Sequence, residues 1–390
     1  MKRVLIAFDK FKDALSARAA CEAAARGLHA SHPDWEYDLC PLTDGGDGFC
    51  ETLTKAAHGR FETHSYSGPR GDTVSAPIGY ISLKNLPDSV RARLGLDATG
   101  TLAVIEMATA SGIALLPPDQ RDPWQTSSYG TGEQLRMTAN SDACAILLGV
   151  GGSATNDLGF GALAALGVKF LDAGGSVVAN PIPATWEKIR RIEKGAAIQL
   201  PPLFIACDVS NPLLGPQGAA AIFGPQKGLR SEDLPRLEME AARLATLLCD
   251  ACNQDPALAT QPGAGAAGGI AFGLMAGCNA KLISGFALVS DWFDLPARID
   301  RADLILTGEG RFDSTSLNGK GPGTLVEAAR QLGKPAHVFA GSVETGLEDR
   351  YFHQITPSGM SLVHALARAG ELLEAGVRTF FQDGPRADRT

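Results

Sequence analysis

Five times along this chain a short aliphatic run empties into a loop that carries an acidic residue, a glycine cluster or both. Residues 4–8 lead to Asp9-Lys10-Phe11-Lys12, and 39–42 to Asp44-Gly45-Gly46-Asp47-Gly48. Residues 145–150 lead to Gly151-Gly152-Ser153-Ala154-Thr155-Asn156-Asp157, 203–207 to Asp208-Val209-Ser210-Asn211-Pro212, and 304–306 to Gly308-Glu309-Gly310-Arg311-Phe312-Asp313. Short runs of this kind suit strands buried on both faces, and helical patterns at 16–29, 49–57 and 324–332 alternate with them. Alternating strands and helices predict an α/β fold with a mostly parallel sheet. The middle of the chain differs. Residues 168–172 and 176–179 flank Ala173-Gly174-Gly175 as a hairpin would, and 74–83 reads as a strand that contains a proline. The expected architecture is therefore two α/β domains: a parallel-sheet domain from residues 1–70 and 285–390, and an inserted mixed-sheet domain from 71–284. Within the latter, 231–253 reads as an amphipathic helix with Leu237, Ala241, Leu244, Leu248 and Ala251 on one face.

Composition narrows the function classes. The 35 Lys+Arg against 43 Asp+Glu give a net charge of −8 with no basic cluster. Such a chain is a poor nucleic-acid ligand, because counterion release needs a concentrated basic face. Asp9, Lys10 and Lys12 end the first apolar run too early for a signal peptide. The longest uncharged stretch, 256–280, holds six glycines and two prolines and lacks the apolar density of a membrane span. Of eight cysteines only Cys249 and Cys252 are spaced C-x-x-C, inside a helical pattern, and read as buried thiols of a reduced compartment. The expectation is a cytoplasmic protein with no membrane and no nucleic-acid partner.

Ligands of open α/β sheets sit outside the carboxyl ends of the strands, where the five loops would converge. Glycine-rich turns present successive backbone N–H groups to phosphate, and carboxylates bind Mg²⁺ through oxygen. Lys12, Lys227, Arg311 and Lys320, in or beside glycine-rich segments, supply cations for transferring oxygens. Donors for phosphate, a divalent ion, cations and a carboxylate are the parts of phosphoryl transfer. They predict ATP-dependent phosphorylation of a small polar substrate. No P-loop exists, since Ser314 and Ala328 stand where its first glycine would be for Gly319-Lys320 and Gly333-Lys334. One rival is an NAD-dependent oxidoreductase, because Gly149-x-Gly151-x-x-Ala154 matches the dinucleotide fingerprint and Asp172 follows at 18 residues. Another is a non-enzymatic small-anion-binding protein. The histidines form no H-x-x-x-H pair, and Ser153 is not in a nucleophile elbow.

These motifs resemble the bacterial glycerate kinase family of the two-domain α/β type. The resemblance runs through Asp9-Lys10-Phe11-Lys12, Asp44-Gly45-Gly46-Asp47-Gly48, Glu106-Met107-Ala108, and Thr126-Ser127-Ser128-Tyr129-Gly130-Thr131-Gly132-Glu133. It continues through 149–157, 206–216, Phe223-Gly224-Pro225-Gln226-Lys227-Gly228, 263–269, and 307–313 with Gly319-Lys320. It implies a flavodoxin/Rossmann-like domain built from both chain ends, and ATP- and Mg²⁺-dependent phosphorylation of D-glycerate to 2-phosphoglycerate. A homodimer is compatible with it. Asp13-Ala14 and Asp47-Gly48-Phe49 depart from the family's usual Gly-Ser and Glu-Gly-Thr. Beside this resemblance, Asp44 or Asp208 is the candidate carboxylate at the accepting hydroxyl, with helix capping as the competing role. Lys12 and Arg311 are candidates for clamping the substrate carboxylate or a phosphate. Gly151, Gly152, Ser153, Thr155, Asn156, Lys227, Ser127, Ser128 and Lys320 are candidates for holding the nucleotide. Asp157 and Glu309 are candidate metal ligands, and Glu106 is a candidate buried acid.

Overall fold

The computed structural model describes residues 1–43, 45–195, 199–314, 316–317, 321–347 and 349–383. The chain divides into two compact units, Met1–Asp44 with Val289–Thr390, and Gly45–Leu288.

The first unit is a five-stranded sheet in the order Phe352–Gln354, Ala336–Ala340, Leu304–Gly308, Arg3–Phe8, Glu36–Leu39, with every pairing parallel. Numbered along the chain this is 2-1-3-4-5, the flavodoxin order. The central strands are aliphatic because both faces are covered. Val4, Ile6, Phe8, Leu304 and Leu306 share a core with Ala20, Ala24 and Leu28 of the Ala17–His29 helix and with Leu373 and Val377 of the Ala369–Asp383 helix. Leu5, Ala7 and Ile305, one residue out of phase, are equally buried on the other face. Ser16 caps the first helix, its hydroxyl accepting from Ala19 N.

The second unit is built on a six-stranded mixed sheet in the order Lys281–Ile283, Leu203–Ala206, Ala143–Gly149, Thr101–Glu106, Thr73–Ser82, Arg60–Ser67. The first four strands are mutually parallel and the last two pair antiparallel. The Arg60–Ser67 strand is bonded along its whole length to Thr73–Ser82, so a break at 70/71 would cut a hairpin, and the division falls at 44/45. The expected hairpin over 168–179 forms: Asp172 N donates to Ser176 O at 2.9 Å and Val178 N to Phe170 O at 2.7 Å, on either side of an antiparallel Leu171–Val177 bridge. Lys169–Leu171 also pairs antiparallel with Arg191–Glu193, a partner the local pattern did not announce. The Leu234–Cys252 helix buries Leu237, Ala241, Leu244 and Leu248 as its periodicity requires. Cys249 and Cys252 are buried in the same helix, and no disulfide joins any of the eight cysteines. Among the described residues no helix is long and apolar enough to cross a membrane.

Candidate active site

Four parallel strands of the second unit end at Glu106, Gly149, Ala206 and Ile283, and the loops that follow them form one rim. The glycines at 149–152 serve close backbone packing. A Cβ on Gly151 would lie 2.5 Å from Gly46 Cα, and one on Gly149 would lie 2.6 Å from the Phe49 ring. Gly151 N donates to Gly45 O at 2.8 Å. Residues 45 and 46 thus fill the space in which a dinucleotide fingerprint would take its pyrophosphate. The helix behind this loop begins only at Phe160, and Asp172 accepts from Gly174 N and Ser176 N as a turn residue. The dinucleotide reading therefore has no structural counterpart.

Beyond the glycines, Ser153, Thr155 and Asn156 are buried, and among the described residues Thr155 Oγ1 and Asn156 Oδ1 have no hydrogen-bond partner. Lys227, from the short 3₁₀ turn Pro225–Lys227, is 2 % exposed. Its ammonium donates to Ser153 Oγ at 2.8 Å and Thr155 O at 2.6 Å. Burial pulls its pKa down to about 7, and the Asp157 charge opposes that shift. A left-handed run, Ala267, Gly268 and Gly269 with φ of 53°, 73° and 89°, breaks the Ala266–Cys278 helix. It lies against the same loop, where a Cβ on Gly268 would be 2.0 Å from Thr155 O. The glycines at 263, 265, 268 and 269 are the sequence signal for this run.

Several candidates turn out to be caps. Asp157 is fully buried; its Oδ2 accepts from Ser128 N and Ser128 Oγ at 2.8 Å and from Gly161 N at 3.1 Å, and its Oδ1 from Gly159 N at 3.1 Å. Three of the four donors fall on Oδ2 and one on Oδ1, so this carboxylate is committed chiefly to holding backbone and hydroxyl donors. Burial raises its pKa and these hydrogen bonds oppose the rise. Ser128 Oγ also accepts from Ala162 N, and Ser127 Oγ accepts from Tyr129 N. Asp157, Ser127 and Ser128 together tie the start of Tyr129–Ala139 to the start of Phe160–Ala165. Glu106, buried, accepts from Gly48 N and Cys50 N at the start of Phe49–Ala56. Asp208 is exposed, and its carboxylate accepts from Ser284 Oγ at 2.8 Å and from Phe286 N at 2.7 Å in the Gly285–Trp292 helix. Asp44 and Lys320 lie outside the described residues.

In the first unit the reversal of strand order lies between Arg3–Phe8 and Leu304–Gly308, the place where flavodoxin-type sheets take ligands. Asp9 N donates to Gly308 O at 2.9 Å, so the loops after the two strands leave side by side. A Cβ on Gly310 would lie 3.3 Å from Lys12 N, which brings the Lys12 and Glu309–Arg311 segments together. Asp9 is buried, Glu309 half-buried and Lys12 exposed. Arg311, with its side chain 69 % exposed, pairs with Asp313 at 3.4 Å. This rim offers two cations and several carboxylates at a switch point. Among the described residues no three His, Cys, Asp or Glu side chains converge as a metal site.

Residues 4–383 match the model of the glycerate kinase family. The chain is 36% identical to a glycerate kinase of Halalkalibacterium halodurans over 387 residues, 97% of each chain. It is 37% identical to a glycerate 2-kinase of Escherichia coli over 347 residues, covering 87% of this chain and 85% of that one. A crystal structure from Salmonella typhimurium LT2, provisionally described as glycerate kinase 2, superposes with a TM-score of 0.74 at 35% identity, covering 98% of this chain and 97% of that one.

Proposed function

The chain belongs to the glycerate kinase family and is a kinase, and from that premise we propose that it transfers the γ-phosphoryl group of ATP to the 2-hydroxyl of D-glycerate. The products are ADP and 2-phosphoglycerate, and the hydroxyl proton passes to a carboxylate. The observation that carries this reading is the flavodoxin-order switch point, which sets Lys12 and Arg311 on neighbouring loops beside Glu309. Two cations there are suited to a substrate carboxylate and a transferring phosphoryl group, with Arg311 matching the planar carboxylate. The 151–157 loop supplies groups toward the nucleotide phosphates from Gly152, Ser153, Thr155 and Asn156, while the Gly151 N–H is spent on Gly45 O. Asp208 or Asp44 takes the proton late, as a loose transition state permits, so no raised basicity is needed.

Mg²⁺, when bound with ATP, neutralises charge on the phosphate oxygens; it keeps waters and takes few protein ligands. Asp157 is already bonded to four donors, one of them on Oδ1, which makes Glu309 the better placed of the two candidate ligands. The two-domain layout, with the middle of the chain inserted between its ends, belongs to the same reading, as does a cytoplasmic location where ATP and small organic acids are at hand. A homodimer is not required by this chemistry.

The test is to incubate the protein with ATP, Mg²⁺ and D-glycerate and to couple the product to enolase with and without phosphoglycerate mutase. Signal without the mutase is expected. Signal only with it would overturn the product, and no phosphorylated product would overturn the substrate.

A further inference from the structure

We propose that Lys227 is a positioning residue for phosphoryl transfer: its buried ammonium holds the 153–157 loop in the shape that receives the ligand. The inference rests on the reading that this loop faces the nucleotide phosphates. Lys227 and Ser153 are 74 residues apart, yet the ammonium joins the Ser153 hydroxyl to the Thr155 carbonyl at 2.8 and 2.6 Å. Among the described residues no carboxylate forms an ion pair with it, and the oxygens of Asp157 are all engaged by backbone and hydroxyl donors. A desolvated ammonium resting on two neutral acceptors is costly to fold, so its presence calls for a return beyond packing.

The return is control over a loop that local preferences would not hold. Gly152, Leu158 and Gly159 have φ of 72°, 58° and 71°, and a left-handed Leu is a strained conformation. Leu158 N is held by Gly268 O, itself in the left-handed run. Lys227 fastens the middle of the loop, Asp157 its end and Ser111 O its Ala154 N–H. At 2 % exposure the ammonium acts on the ligand through the loop.

The experiment uses the full chain with Lys227→Met, which keeps the stem and removes the donors, and Lys227→Arg, which keeps a donor. Hydrogen exchange of peptides covering 150–160 is read together with separate kcat and KM values for ATP and D-glycerate. For Lys227→Met we expect exchange of these amides to rise by roughly tenfold or more, while the Leu234–Cys252 helix keeps its protection. We expect kcat/KM for ATP to fall by about 10², with KM for D-glycerate moving far less. Lys227→Arg should recover part of both. Unchanged loop exchange would overturn the positioning role whatever the kinetics. Faster exchange with wild-type kinetics would overturn the assignment of this loop to the nucleotide, and with it the catalytic consequence. A global loss of protection in Lys227→Met moves the test to Ser153→Ala, which deletes one acceptor; faster loop exchange and a several-fold lower kcat/KM for ATP then support the proposal, and wild-type values for both overturn it.

Discussion

The Asp157 carboxylate accepts from both the backbone N–H and the hydroxyl of Ser128, 29 residues away in sequence, each at 2.8 Å, and so ties two helix starts together. An amide in its place would set an NH₂ against backbone donors. Asp157→Asn is therefore expected to lose about 2–4 kcal/mol of stability in urea denaturation. A metal ligand would behave in the opposite way, with stability kept and turnover lost.

Gly268 has a φ of 73° and its missing Cβ would sit 2.0 Å from Thr155 O. Gly268→Ala combines a left-handed penalty with a backbone clash, and a loss of about 2–5 kcal/mol is expected. Because the clash falls on the loop held by Lys227, KM for ATP should rise with it. Steady-state kinetics on the folded fraction would check this.

Asp208 holds Ser284 Oγ and Phe286 N, so its capping and proton-accepting roles must be separated. Ser284→Ala removes two hydrogen bonds, the one to Asp208 and the one from Ala287 N, and should cost about 1–2 kcal/mol with kcat within a factor of a few. If Asp208 is the base, Asp208→Asn lowers kcat by at least ~10², with less effect on KM for ATP. If both variants lose only stability, the proton goes elsewhere, and Asp44→Asn becomes the variant to measure.

Arg311 is exposed apart from its pair with Asp313. Arg311→Ala should raise KM for D-glycerate by about 10- to 100-fold, and Arg311→Lys should fall between, since Lys lacks the bidentate geometry. An unchanged KM would remove the clamp assignment.

His337 Nδ1 and His353 Nε2 lie 3.0 Å apart on adjacent strands of the first unit, under Phe380 of the terminal helix. Burial pulls both pKa values down to about 4, helped for His337 by the Lys2 charge and for His353 by His337, with Asp349 opposing at His353. Between the ordinary value of 6.5 and about 4 the unfolded chain binds protons that the folded chain refuses. Their contribution is thus complete above about pH 6.5 and declines as pH falls toward 4. Urea midpoints at pH 7, 6 and 5 should fall in that order, and the His337→Phe/His353→Phe double variant should show a flatter dependence.

How far the residues alone reach differs from element to element. Strands 4–8, 143–149 and 304–308 are legible because a strand covered on both faces must be continuously apolar. The Arg60–Ser67 strand is not, because it is an edge strand with only Tyr66 buried, so hydropathy leaves no trace of it. The Lys169–Leu171 strand is legible as half of a local hairpin because Ala173-Gly174-Gly175 does turn; its second partner, Arg191–Glu193, lies beyond a 3₁₀ segment and leaves no local signal. At the site the glycine-rich and acidic loops were legible, but the same residue types cap helices and bind phosphate, and a motif records only the types.

The order of residues by itself determined the α/β class, the aliphatic strands, the loops at their carboxyl ends and the family, because each depends on local periodicity or on motifs kept in sequence. Only the tertiary structure decided that Asp157 is a double cap, that Asp208 secures a helix start, that Gly149 and Gly151 pack on residues 45–49, and that Lys227 lies beneath Ser153 and Thr155. The reason is physical: a polar side chain takes its role from whichever donor or acceptor the fold leaves within about 3 Å of it, and those partners come from distant parts of the chain.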